Sequence, residues 1–122
     1  MDVLLYVAAA IPIIWGVAHF FATKGVVAGF GELSADNRRI ITMEWIVEGV
    51  ALISVGFFIA VATVIDSRAS LARGVYAVAI AVLVVLTVVS LFTGFRIRFL
   101  PFRLCPIIFM VSAVLTVVGA WL

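Results

Sequence analysis

The chain has 122 residues, of which 67% are hydrophobic and 11% charged, with a formal charge of +2 and a mean hydropathy of +1.42. Soluble domains are nearer half apolar and a quarter charged, so this balance argues against a soluble fold and for an all-α integral membrane bundle. The few basic residues fall in short breaks between apolar runs, as membrane orientation requires, which argues against nucleic acid as a partner. A single cysteine, Cys105, rules out an intramolecular disulfide and a cysteine-based metal site.

Four apolar runs predict one domain over residues 1–122, with transmembrane helices at about 3–23, 36–65, 75–93 and 106–122. About 20 residues cross a bilayer at 1.5 Å per residue, so the first three qualify comfortably. The fourth is slightly short and ends near Trp121, an aromatic suited to the interface. Lipid offers the backbone no hydrogen bonds, so these runs are helices rather than strands. The first run reads as a retained helix. Asp2 stands where a signal peptide carries basic residues, and no A-x-A cleavage pattern follows. Lys24, Arg38, Arg39, Arg96, Arg98 and Arg103 fall in the first and third breaks, against Arg68 and Arg73 in the second. Six against two places the first and third loops in the cytoplasm and both termini outside.

In the first helix Pro12 removes a hydrogen bond and frees the carbonyl of Ala8, which predicts a kink. Ala8, Pro12, Trp15 and His19 share one face. The break at 24–39 is expected to be a loop made flexible by Gly25, Gly29 and Gly31, either a connector or a flap over the bundle. Its glycines do not form a nucleotide-binding fingerprint, because no strand precedes them and the spacing differs. Ser34 or Asp36 can cap the second helix.

The second helix has two faces. Glu44, Glu48, Ala51 and Val55 form one stripe, and Gly49, Gly56 and Ala60 form another about 100° away. The small residues suit a close helix contact, beside which the two glutamates are expected to face the interior. An acid at membrane depth costs about 2.5–3.5 kcal/mol, so each needs a partner or a task. In the third helix Thr87, Ser90 and Thr93 gather towards the end that carries the third loop. That loop, residues 94–103, interleaves arginines with aromatics and reads as a headgroup anchor or an anion clamp.

His19 and Glu44 both lie about 6 Å below the same predicted boundary, with Trp15 and Glu48 one turn deeper. Thr87 and Ser90 approach this layer from the third helix. Three readings follow. In the first, the layer is structural, with His19 bonded to Glu44 and Glu48 either protonated or paired with an arginine such as Arg96. In the second, His19, Glu44 and Glu48 bind a hydrophobic or amphipathic small molecule (a quinone, lipid or sterol-like compound) between the walls Trp15, Trp45 and Phe20. In the third, Glu48 is the carboxylate of a proton-coupled carrier. A metal held by one histidine and two glutamates would need further residues from a second subunit. No catalytic residue and no cofactor follow from these residues, and enzymatic activity stays open.

With Gly16-Val17-Ala18-His19-Phe20-Phe21 near the end of the first helix and a glycine-rich break after it, the chain resembles the DoxX-like group of small bacterial four-helix membrane proteins. The resemblance covers the four-span layout and that segment. It implies a bacterial membrane protein, in a group where some members are associated with quinone-linked oxidation; the chain is expected to lie in the inner membrane and to work as a homo-oligomer or as a subunit of a membrane complex. The segment holding Glu44 and Glu48 matches no motif of that group. Small multidrug carriers share the size and span count but keep their glutamate in the first helix, where residues 3–23 here hold no acid.

Overall fold

A computed structural model describes residues 1–122 and is entirely helical. Four helices, α1 (Asp2–Gly29), α2 (Ala35–Asp66), α3 (Ser70–Thr93) and α4 (Leu100–Trp121), follow one another through short turns. All four are long and apolar enough to cross a membrane. α2, with 32 residues, is about 48 Å long, so its polar ends would stand clear of a roughly 30 Å hydrocarbon layer. The helices form a closed ring in which the backbone of α1 approaches α2 and α4 and that of α3 approaches the same two, while the diagonal pairs meet only through side chains. This is the up-down arrangement that short connections enforce.

The helices are longer than the apolar runs from which they were expected. α1 runs through Lys24 and Gly25 to Gly29, so the flexible 24–39 segment shrinks to a turn at 30–34. The glycine that stops α1 is Gly31, with φ +77°, whose N–H returns to the Ala28 carbonyl at 3.2 Å. Only there does the chain need a left-handed residue. Ser34 opens α2 by accepting the Asn37 N–H at 3.1 Å. α4 begins at Leu100 rather than near 106, because Pro101 sits in its first turn, where the missing N–H has no intrahelical partner to lose. At the opposite end the Ser67 hydroxyl donates to Asp2 at 2.8 Å, tying the start of α1 to the turn between α2 and α3.

The tightest seam lies between α1 and α2. A Cβ on Gly16 would stand 2.5 Å from the Gly49 carbonyl oxygen, and one on Gly49 would stand 2.8 Å from that of Gly16. Two turns away a Cβ on Gly56 would collide with the Ala9 carbonyl. Glycine is required at these points because backbone meets backbone. The inward face of α2 is therefore Gly49, Leu52, Gly56, Ile59 and Thr63. The expectation that the glutamate stripe faces inward is corrected: Glu44 is exposed and Glu48 sits at the margin of the bundle. At about 100° per residue, Trp45 falls on the glycine stripe, while Glu48 lies about 60° and Glu44 about 100° from its centre.

Two apolar clusters fill the interior. Leu5, Ala9, Ile59, Ala72, Tyr76 and Ala79 make one, and Leu52, Leu83, Phe109 and Ala113 the other. Most buried hydroxyls are absorbed by their own helix, as with Thr87 to Leu83 and Thr116 to Ser112, both at 2.8 Å. Ser112 is different. Its hydroxyl crosses from α4 to donate to the Ala8 carbonyl at 2.8 Å, the acceptor that Pro12 leaves without an intrahelical N–H. A freed carbonyl in an apolar interior is thus satisfied by a neighbouring helix, as burial of a polar group requires.

Gly56→Ala is expected to destabilise the fold by about 1–3 kcal/mol through overpacking. Gly74→Ala, where a Cβ meets open space, is expected to leave the thermal midpoint in detergent undiminished. Ser112→Ala is expected to cost about 1 kcal/mol. That cost should shrink when Pro12→Ala restores an N–H for the Ala8 carbonyl, a coupling that a double-mutant cycle reads directly.

Candidate functional site

The Gly16–Gly49 contact determines what lies one turn further along both helices. With no side chain at Gly49, α2 leaves space over which His19 folds, and a Cβ there would stand 3.1 Å from that of His19. The imidazole is 5% exposed. Its Nδ1 lies 2.7 Å from the Trp15 carbonyl oxygen, which can only accept, so Nδ1 carries a hydrogen. The tautomer follows from chemistry: in neutral His19, Nε2 holds the lone pair.

Nε2 lies 3.5 Å from Oε1 of Glu48, whose side chain is 42% exposed on the flank of the bundle. That distance suits charge attraction but is long for a hydrogen bond. Two proton arrangements are available, an imidazolium beside a carboxylate or a neutral imidazole beside a carboxylic acid. Both leave the pair uncharged overall, the state an apolar surrounding tolerates best.

Aromatic rings fix the imidazole in place. Trp45 stacks on it with centroids 4.7 Å apart and planes at 30°. The Trp45 indole N–H donates to the His19 carbonyl at 2.8 Å, an acceptor it shares with the Thr23 hydroxyl at 2.6 Å. Trp15 meets the imidazole edge-on at 6.2 Å. Its indole N–H is buried with no acceptor, beside the Leu52 cluster. Beyond Trp45, Phe102 of α4 packs at 5.5 Å, and Phe99 lies 5.9 Å further on. An aromatic relay thus joins His19 to the start of α4. Phe102 was not anticipated from sequence, although its place in an arginine–aromatic segment is a signal of burial near that end.

His19, Glu48, Trp15 and Trp45 therefore converge. Glu44 does not: it points outward, and the expected His19–Glu44 bond is replaced by the approach of His19 to Glu48. The helix register explains this, since the paired glycines bring residue 19 level with the turn from 45 to 48. Arg96 makes no ion pair with Glu48. The hydroxyls of Thr87 and Ser90 bond their own helix at Leu83 and Leu86 rather than the His19–Glu48 pair. Phe20 lines a separate cleft with Lys24 and Arg38. No third His, Cys, Asp or Glu joins the pair in a metal-like cluster. The arrangement can pass or share one proton, or hydrogen-bond a molecule that reaches the open side of Glu48.

Comparison with known protein families, with curated proteins and with solved structures finds no match.

A double-mutant cycle is expected to give a coupling of about 0.5–3 kcal/mol for His19 with Glu48 and none above about 0.3 kcal/mol for His19 with Glu44. Thermal or denaturant unfolding in detergent measures both.

Proposed function

We propose that the chain is an integral protein of a bacterial inner membrane that binds a hydrophobic or amphipathic molecule beside the His19–Glu48 pair. The favoured ligand class is one with a polar carbonyl or hydroxyl head on an apolar body, such as a quinone. The observation that carries this reading is the pair's asymmetry. His19 is buried in a single orientation, while its partner carboxylate is half open at the margin of the bundle. Here the Glu48 side chain is 42% exposed, so the carboxylate is accessible to a molecule from outside the bundle. The buried, unpartnered Trp15 N–H adds a donor near the same layer.

The wider reading rests on the four apolar helices and on the distribution of Lys and Arg, which favours both termini outside the cytoplasm. The DoxX-like resemblance of the Gly16–Phe21 segment fits a subunit of a redox or envelope complex, or a homo-oligomer. Proton-coupled transport through Glu48 is the competing function, and the structural role is the competing absence of one.

Native mass spectrometry of the protein gently extracted from its host membrane is expected to show one retained quinone-like or lipid-like mass per chain. Glu48→Gln removes the shared proton site and should lower retention about 10- to 100-fold, the equivalent of one charge-assisted hydrogen bond. An empty chain would support the structural role. Proton flux in liposomes that Glu48→Gln abolishes would support transport.

A further inference from the structure

Between the ends of α1 and α2, past the His19 layer, lies a cleft of about 740 Å³. Its chemistry changes along the helix axes. Lys24 and Arg38 stand towards the helix ends, and Phe20 and Ile46 stand deeper. Phe20 is one turn, about 6 Å, inward from Lys24, and Ile46 is two turns, about 12 Å, inward from Arg38. Val27 and Ala28, about one turn beyond Lys24 towards the end of α1, complete the wall on that helix.

The two cations are free. Arg39 beside them pairs with Asp36 at 3.4 Å, but neither Lys24 nor Arg38 has a carboxylate partner or donates a side-chain hydrogen bond. The hydroxyls in the cleft, Thr23 and Thr42, spend their hydrogens on carbonyls of their own helices, at 2.6 and 2.7 Å. The donors left for a ligand are therefore an ammonium and a guanidinium, held on two helices above an apolar floor. A guanidinium and an ammonium together match a phosphate oxyanion, and the floor matches a hydrocarbon chain.

We infer that this cleft is a specific site for an anionic phospholipid, with the phosphate between Lys24 and Arg38 and an acyl chain running inward along Phe20 and Ile46. It is separate from the His19–Glu48 pair and shares with the preceding proposal only the placement in a membrane. The bound lipid bridges α1 and α2 where the glycine seam no longer holds them together. It acts as a fixed component of the bundle rather than as bulk solvent.

The test is native mass spectrometry of the full chain in detergent, titrated with phosphatidylglycerol and with phosphatidylcholine of identical acyl chains. The expected result is one phosphatidylglycerol per chain, held in preference to phosphatidylcholine. Lys24→Gln with Arg38→Gln should weaken it about 30-fold, at about 5-fold per cation. Arg96→Gln with Arg98→Gln, equal in charge and in the loop before α4, should leave it unchanged. Lys24→Arg with Arg38→Lys preserves both charges and should retain the lipid, which guards against loss through misfolding. Equal binding of the two lipids, or equal loss in both glutamine pairs, would overturn the site. Displacement of the lipid by millimolar inorganic phosphate would assign the cleft to a free anion instead.

Discussion

Gly16 on α1 and Gly49 on α2 face one another so closely that each occupies the space in which the other's side chain would stand. Ala9 and Gly56 repeat the contact two turns away. With so little volume between the backbones, the two helices have one register available. Any slip would drive a side chain into a carbonyl. Because His19 follows Gly16 by three residues and Glu48 precedes Gly49 by one, this register alone brings the imidazole and the carboxylate to the same level. The polar layer is thus a consequence of the packing contact and not an independent feature.

An apolar interior makes hydrogen bonds few and decisive. Threonine and serine side chains are mostly neutralised by their own helices, so they add polarity without choosing neighbours. Three bonds do choose. Ser112 reaches the Ala8 carbonyl freed by Pro12, Tyr76 meets Thr63, and Trp45 reaches the His19 carbonyl. Each removes a group whose isolation in an apolar surrounding would be costly. Together they join α4 to α1, α3 to α2 and α2 to α1.

The His19–Glu48 pair differs in kind from these. Its hydrogen is not assigned to one atom, and its acidic member is half open. The stack of Trp45 and the carbonyl of Trp15 leave the imidazole no freedom to turn away. The result is a rigid base beside an accessible acid. At the polar end of the same two helices, Lys24 and Arg38 present positive charge with no carboxylate partner. The α1–α2 pair therefore carries both the His19–Glu48 pair and the Lys24–Arg38 cleft.

Much of this could be read along the chain. Apolar runs separated by charged breaks specify four helices, since each span must satisfy its own backbone, and the spacing of Gly49 and Gly56 marks a close contact. The freed Ala8 carbonyl was also legible, because proline's missing N–H is a local fact. Other features were not. Polar residues do not stop a helix that extends beyond the apolar layer, so the ends at Gly29 and Leu100 depended on Gly31 and Pro101 rather than on hydropathy. Nor could periodicity say which stripe of α2 faces inward, since glycine and glutamate stripes are equally regular. Packing resolved it: the residue without a side chain permits the nearest approach, and the carboxylates are turned to the margin, one to His19 and one outward.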